Sequence, residues 1–234
     1  MSDVIVRELR VLAEMDALRA TAARVWGGSS ADMVSSDFLM ALAHAGGYVA
    51  GALEDDEMVG CSFGILAKHG HEWCLHSHIT GIVPEWQNSG LGARMKFHQR
   101  DWARVKELRA ITWTFDPLVR RNGWFNLERL GARAIEYHVD FYGALNDDIN
   151  GSGETDRLLA WWDVETSSAR IVVPSDPIVV PTPDDIVALR RHDPTAAHQW
   201  RLSMRDRLGP LLTTHDVVGM NDNGDYLLER KESR

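Results

Sequence analysis

Two histidines lie just ahead of a glycine-containing loop in the stretch HSHITGIVPEWQNSGLG, residues 76–92. His76 and His78 are separated by one residue in an apolar, β-branched segment, and side chains spaced this way on a strand point to the same face. Imidazole is the side chain best suited to accept a proton near neutral pH. The pair therefore predicts general-base chemistry, such as taking a proton from an attacking amine. Hydrogen-bonded histidines of a core are the alternative.

The loop after the histidines is poor in bulky side chains and precedes a helical pattern. A helix N-terminus exposes backbone N–H groups and carries a partial positive charge, and glycines let an anion approach. The spacing is neither a dinucleotide fingerprint, because Met95 occupies the third glycine position, nor a P-loop. A plain glycine turn is the alternative to a phosphate or diphosphate site. The amides that would bind such an anion are those of Gln87, Asn88, Ser89, Gly90, Leu91 and Gly92.

The elements that must position these residues follow from hydrophobic periodicity. The order is β-αα-ββ-β-α-β-α-β-β, which predicts an α+β or mixed α/β layer fold with meanders first and crossover helices later. In the helix after the loop, one apolar stripe is expected to face the core, with four charged residues off it. The stripe consists of Leu91, Met95, Trp102, Val105 and Leu108, and the charged residues are Lys96, Arg100, Arg104 and Glu107.

A change of composition near residue 165 predicts two parts. Residues 1–165 form the main domain, and residues 166–234 form an extension with a Pro- and Ser-rich linker, two helices and a β-hairpin. Asn223-Gly224 between apolar runs indicates the hairpin turn. Gly209-Pro210 is expected to break the second helix.

Composition excludes several classes of function. The net charge of -9 disfavours binding to a phosphate backbone, so no nucleic-acid partner is expected. Cys61 and Cys74 match no zinc pattern, so we expect no metal and a reducing compartment. No secretory signal and no apolar run of membrane length is present, so a cytoplasmic protein without a membrane partner is expected.

Several stretches resemble the GNAT superfamily of acyl-CoA-dependent N-acyltransferases. IVPEWQNSGLGARM resembles its (Gln/Arg)-x-x-Gly-x-(Gly/Ala) motif, and NLERLGA resembles its short helix that ends in Leu-Gly. Nearly the whole chain is similar to a poorly characterised bacterial subgroup with a C-terminal extension. The resemblance implies the GNAT fold, a central mixed and mostly antiparallel sheet flanked by helices, with acetyl-CoA or coenzyme A as co-substrate.

The resemblance also assigns roles to residues. The loop amides would bind the cofactor diphosphate, and the backbone of Ile82 and Val83 would pair with the pantetheine arm. His76 and His78 are similar in position to the His-x-His proton relay of the aralkylamine N-acetyltransferases. The position of the usual tyrosine acid is Leu127, which leaves the acid open between water and another residue.

Further candidate residues have structural alternatives. The tyrosines that might replace Leu127 as the acid are Tyr137 and Tyr142, although strand tyrosines are usually core residues. Asn122 and Asn126 would hydrogen-bond the pantetheine amides, with helix capping as the alternative at Asn122.

Four residues are candidates for contacts with the acceptor. Asp116 and Trp113 would contact it, with turn and core roles as alternatives. Arg157 and Arg201 would bind a carboxylate, with surface ion pairs as the alternative.

These features predict an enzyme that moves an acetyl or other short acyl group from acyl-CoA to a small-molecule amine or amino acid. Transfer would be direct, in a ternary complex, without a metal or an acyl-enzyme. One alternative is a catalytically weak acyl-CoA-binding module whose extension forms a partner or homodimer interface. The other is a protein N-acetyltransferase.

Overall fold

The computed structural model describes residues 4–27, 34–143, 154–165 and 176–231. The chain divides into two compact units, residues 1–112 and 113–234, and the boundary falls inside the fifth strand. The domain boundary expected near residue 165 stays a prediction. None of the described helices is both long and apolar enough to cross a bilayer.

The first unit is a sheet with helices on both faces. Its strands are β1 (Ile5–Glu8), β2 (Tyr48–Glu54), β3 (Glu57–His69), β4 (Glu72–Ile82) and the start of β5 (Ala110–Phe115), in the spatial order β1-β2-β3-β4-β5. Its helices are α1 (Leu12–Trp26), α2 (Ser36–His44) and α3 (Leu91–Val105). Neighbouring strands are antiparallel except β4 and β5, which run parallel.

Two apolar clusters fix the faces of this sheet. Met15, Leu18 and Leu39 from α1 and α2 pack with Cys61 and Phe63 of β3 on one face. On the other face, residues of α3 pack with β2, β3 and the residue that follows β4; this cluster includes Ala52, Val59, Val83, Leu91 and Met95. The helix that follows the glycine loop is thereby held against the end of the strand that precedes it.

The stripe expected on α3 is only partly correct. Leu91, Met95 and Trp102 are buried, but Val105 is 82% exposed and Lys96 is only 4% exposed. Val105 is the last residue of the helix, whereas Lys96 donates to Ser77 of β4 and to Gln99 of its own helix. Periodicity alone does not predict this, because the face that packs on the sheet is partly polar.

The second unit contains the rest of β5 and a longer series of elements. They are α4 (Arg120–Trp124), a π-helical turn (Phe125–Arg129), β6 (Arg133–His138), β7 (Arg157–Asp163), β8 (Ile178–Val180), α5 (Ile186–His192), α6 (Pro194–Leu211), β9 (His215–Met220) and β10 (Tyr226–Arg230). The spatial order is β5-β7-β6-β9-β10-β8. The mixed, mostly antiparallel sheet flanked by helices is therefore confirmed.

Two helices, α5 and α6, are followed by the β9–β10 hairpin, and β9 continues the sheet beyond β6 through the pair Ala134–Val217. The β9–β10 hairpin turns at Gly224, whose φ of +80° favours glycine. The prediction that α6 breaks at Gly209-Pro210 is wrong, because the helix continues to Leu211. Pro210 lies in the last turn, where losing one N–H donor leaves the earlier turns intact.

Candidate functional site

The loop between β4 and α3 is held in a conformation that needs glycine. A short 3-10 turn, Pro84–Trp86, follows β4, and Gly90 precedes α3 with a φ of +84°. A Cβ added at Gly90 would meet no atom within 4 Å. Glycine is thus required by the backbone conformation rather than by packing, and the surface above it is open to a ligand.

The amides of this loop divide into two groups. The Gln87 amide donates to the Pro84 carbonyl at 3.2 Å, and the Leu91 amide donates to Ser89 Oγ at 3.3 Å. Within the described part of the chain, the other four loop amides donate to no protein acceptor. They belong to Asn88, Ser89, Gly90 and Gly92. Four of the six predicted donors therefore remain for an anion at the positive end of α3.

The end of β4 is oriented by its pairing with β3. The Val83 amide donates to the Val59 carbonyl at 3.1 Å, and the Val83 carbonyl accepts from the Trp86 amide at 3.0 Å. Because antiparallel ladders alternate, the backbone groups of Ile82 then point away from β3. Among the described residues, the predicted backbone contact with pantetheine is thus open at the Ile82 amide. The Ile82 carbonyl accepts from Gln87 Nε2 at 3.5 Å, and both backbone groups of Val83 are engaged.

A β-bulge places the histidine pair. Phe63 pairs with Ile79 and Gly64 with Ser77, which leaves His78 as the extra residue of β4. The His78 ring lies 5.2 Å from the Phe63 ring, on the side of the sheet that α1 and α2 cover. Bulges often re-aim side chains in this way at functional sites.

His76 shares that face with His78. It pairs with Ile65, which lies two residues beyond Phe63 on β3 and therefore on the same side. His76 Nδ1 is 3.1 Å from Thr112 Oγ1 on β5. Ser77, between the histidines, points the other way and accepts a hydrogen bond from Lys96.

The electrostatics of the pair favour neutral imidazoles. Burial lowers the pKa of His76, and the nearby charges of His78 and Lys96 lower it further. Burial also lowers the pKa of His78, although that residue is the more exposed of the two. Both rings can therefore accept a proton at pH 7, and His78 is the more accessible of the two to solvent.

A buried polar network lies on the opposite face of β4. Lys96 Nζ donates to Gln99 Oε1 at 2.8 Å and to Ser77 Oγ at 3.3 Å. Gln99 Nε2 donates to Ser62 Oγ at 3.4 Å, and Ser62 Oγ donates to the Ile79 carbonyl at 2.9 Å. Burial lowers the pKa of Lys96 to about 7. The network thus braces the bulge that carries His78.

Sequence reasoning missed this network, although a signal was present. Gly92, Lys96, Gln99 and Ala103 recur at helical spacing and form one face of α3. The two long polar residues of that face reach Ser77 on β4 and Ser62 on β3.

The remaining predicted residues lie in the second unit. Asn126 is 6% exposed within the π-helical turn. Val119, not Asn122, precedes the first residue of α4, so the capping alternative at Asn122 is wrong. Leu127 is 2% exposed and belongs to the core. The contacts proposed between the two asparagines and pantetheine stay predictions.

The two predicted acceptor-binding residues are also buried. Asp116 is 5% exposed, and its carboxylate accepts from the Leu118 amide at 2.9 Å and from Arg190 at 2.5 Å. Trp113 is 8% exposed and packs edge-on against Trp162, with ring centroids 6.2 Å apart. An acceptor ammonium would have to compete with Arg190 for Asp116, and the role of both residues stays a prediction.

The tyrosines that could replace the usual acid differ in their contacts. Tyr137 donates to Asp156 at 2.6 Å. Burial raises the pKa of Tyr137, and the Asp156 carboxylate raises it further. Tyr142 is 38% exposed, with its hydroxyl 3.0 Å from Thr114 Oγ1. Tyr142 is therefore the more exposed of the two tyrosines.

No protein-family model matches the sequence, and no curated protein matches it. Solved structures do match. A protein assigned to the GNAT family of acetyltransferases from Desulfovibrio desulfuricans is 16% identical, with a TM-score of 0.51 over 69% of this chain and 99% of that one. The chain has the GNAT acetyltransferase fold.

Two further GNAT-fold neighbours differ in what they bind. Aminoglycoside 6'-acetyltransferase type Ii is 15% identical, with a TM-score of 0.53 over 70% of this chain and 99% of that one. A chain of the NatC complex bound to Gag peptide and CoA is 13% identical, with a TM-score of 0.51 over the same two shares. Identities this low relate the fold of the proteins, whereas function depends on the site.

Proposed function

We propose that this GNAT-fold chain is an acyl-CoA-dependent N-acyltransferase. It moves an acetyl or other short acyl group to the amine of a small molecule or amino acid, by direct transfer in a ternary complex. The observation that carries the proposal is the loop before α3, where Gly90 at φ +84° lies beside open space. Four amides of this loop donate to no acceptor among the residues that the structure describes. This loop supplies what a diphosphate needs from a protein backbone.

The residues present fit coenzyme A. Two of the four free amides belong to glycines, Gly90 and Gly92, which have no side chain to block an anion. All four lie at the N-terminus of α3, the positive end of the helix dipole. The β4–β5 pairs run from Cys74–Ala110 to His76–Thr112, while β4 extends to Ile82. The edge of β4 beyond His76 is therefore suited to accept an extended amide-bearing arm as an added strand.

In this proposal, His76 and His78 take up the proton that the acceptor amine loses. A lysine-like amine has a pKa of about 10.4, so it must lose a proton before its nitrogen can attack the thioester carbonyl. His78, neutral at pH 7 and partly exposed, accepts that proton, and His76 with Thr112 continues the relay. Attack forms the C–N bond and breaks the C–S bond, and the thiolate leaves as coenzyme A, taking a proton from water.

Two alternatives differ from this proposal in measurable ways. A catalytically weak binding module would bind coenzyme A without amine-dependent thiol release. A protein N-acetyltransferase would release thiol with peptide amines and not with small ones, as the peptide-bound NatC neighbour suggests. The histidine pair, poised as neutral bases, favours a catalyst over the module.

A glycine exchange tests the site directly. Gly90→Val should weaken coenzyme A binding at least about 100-fold in calorimetry, because a side chain would project into the anion position and strain the backbone. Gly70→Val is the matched control, since Gly70 also has positive φ (+60°) and open space, but lies in the β3–β4 turn. Equal affinity of both variants, or no coenzyme A binding by the unmodified chain, would remove the proposal.

Activity is tested by thiol release with acetyl-CoA and a panel of amines. We expect release that depends on a small amine or amino acid. Binding without release would support the module, and release with peptides alone would support protein acetylation.

A further inference from the structure

The face of the sheet that carries the two histidines is only partly covered by α1 and α2. Phe63 of β3 is 3% exposed and packs in the cluster that these helices form. Ile65, two residues further on and therefore on the same side of β3, is 41% exposed. The pairing of β3 with β2 also ends at Gly64, so Ile65 lies past the end of β2. An apolar side chain is thus left open to solvent on the histidine face.

Ile65 lies directly beside the histidine pair. It is the cross-strand partner of His76, and partners on one face of an antiparallel pair have Cβ atoms about 4.5–5.5 Å apart. The Phe63 ring lies 5.2 Å from the His78 ring. Apolar side chains of β3 therefore lie next to both imidazoles, and Ile65 is the one that solvent reaches.

The described strand residues around the pair offer no carboxylate or ammonium group on this face. The residues that share it are Phe63, Ile65 and Ala67 on β3 and Cys74, His76 and His78 on β4. Burial lowers the pKa of both imidazoles, which favours their neutral forms at pH 7. A molecule lying here would meet apolar side chains and neutral bases.

Exposure alone does not identify a site, because single exposed apolar side chains are common on protein surfaces. Leu66 is such a case, since it is 38% exposed on the opposite face of β3, where its cross-strand partner is Leu75. Ile65 is exposed to a similar extent, but its partner is His76. An amine delivered to the histidines would therefore bring the rest of its molecule against Ile65.

We propose that Ile65 determines the class of acceptor, which is a primary amine with an uncharged, apolar body. The body packs on Ile65 while the nitrogen reaches His78. A second charged group at this place would lose water without an oppositely charged partner among the described residues of the face. The inference rests on the proposed acyl transfer and narrows its acceptor, and every residue that carries it lies in the first unit.

A matched pair of amines tests the acceptor class. Hexylamine and 5-aminopentanol have similar length and basicity, but a methyl group ends the first and a hydroxyl group the second. Thiol release with acetyl-CoA should give hexylamine a kcat/KM at least about 5-fold higher, because its methyl end loses contact with water on Ile65. Equal values, or a preference for 5-aminopentanol or 1,5-diaminopentane, would overturn the inference and leave acyl transfer in place. Release with no amine of any kind would remove the proposed function, and this inference with it.

Substitutions test whether Ile65 is responsible. Ile65→Thr keeps a β-branched side chain and adds a hydroxyl, so the ratio of the two kcat/KM values should fall to within about 2-fold of equality. Leu66→Thr is the matched control, because the same change at a similarly exposed position of the opposite face should keep the ratio. Ile65→Ala takes the place of Ile65→Thr if circular dichroism shows that the latter is unfolded. An unchanged ratio in the folded variant, or an equal fall in the control, would refute the assignment.

Discussion

The two faces of β4 place titratable side chains in different environments. On one face, His76 and His78 are partly open to solvent, and burial lowers the pKa values of both. On the other face, Lys96 is only 4% exposed and is held by neutral partners, Ser77 and Gln99. One face keeps neutral imidazoles in contact with solvent, and the other keeps a titratable amine away from it.

The difference teaches how one strand can present accessible imidazoles and still be braced by hydrogen bonds. The bulge at His78 interrupts the β3–β4 ladder, and an interrupted ladder loses backbone order. The network from Lys96 through Gln99 and Ser62 to the Ile79 carbonyl adds side-chain hydrogen bonds next to the bulge, on the face of β4 that α3 covers. Each prediction below breaks or refines this division, from the largest expected effect to the smallest.

Removing the reachable base should have the largest effect. His78→Ala should lower kcat by about 10²- to 10⁴-fold, the usual contribution of a general base, with coenzyme A affinity unchanged. Steady-state thiol release and calorimetry measure the two quantities. His71→Ala is the matched control, because His71 is exposed in the β3–β4 turn. An unchanged kcat in His78→Ala would assign the proton to another group.

The buried lysine should appear in the pH dependence of stability. The pKa of Lys96 is about 7 in the folded chain and about 10.4 when unfolded, so the unfolded state binds more protons between these values. The burial of Lys96 therefore destabilises the folded chain most below pH 7, and this destabilisation decreases as the pH rises from 7 toward 10. Between pH 7 and 9.5 the unmodified chain should gain on the order of 3 kcal/mol relative to Lys96→Met.

Urea unfolding of both proteins at the two pH values measures that difference. Lys68→Met is the control, because it removes a lysine from an exposed position of β3. If Lys96→Met and the unmodified chain show the same change with pH, Lys96 is charged and fully compensated in the folded chain, and the contrast between the two faces disappears.

These two faces also show what the sequence could and could not predict. The histidine pair and the loop amides follow from local rules, since alternation on a strand and a glycine before a helix act within a few residues. The burial of Lys96 follows from what lies opposite α3, Ser77 on β4 and Ser62 on β3, which are distant in sequence from Lys96.

The second unit repeats that lesson. The hairpin at Gly224 could be predicted because Asn-Gly fixes a turn locally. Surface ion pairs at Arg157 and Arg201 were the wrong expectation, since each is only 6% exposed. Their burial could not be predicted, because their partners, Asp116 and the Glu154 carbonyl, lie at least 41 residues away in sequence. Long-range contacts decide which charged residues face water, and a single sequence does not contain them explicitly.

A smaller effect is expected from the hydroxyl that holds His76. Thr112→Val keeps the shape of the side chain and removes the 3.1 Å contact with His76 Nδ1. The free energy of unfolding should fall by about 1 kcal/mol, the usual cost of one lost hydrogen bond. Thr112→Ser, which keeps the hydroxyl, should restore part of the loss in urea unfolding. Equal stability of Val and Ser variants would show that His76 is held by packing alone.

The smallest effect should come from the residue of α3 that sequence periodicity placed in the core. Val105 is 82% exposed, so Val105→Ser removes almost no buried apolar area and should change stability by less than about 0.5 kcal/mol. Met95→Ser is the matched comparison, because Met95 is fully buried on the same helix and its replacement should cost about 2–5 kcal/mol. Chemical denaturation of the two variants measures this contrast. A large loss at Val105 would mean that α3 turns its charged face outward, and the lysine network behind the histidines would then have no place in the protein.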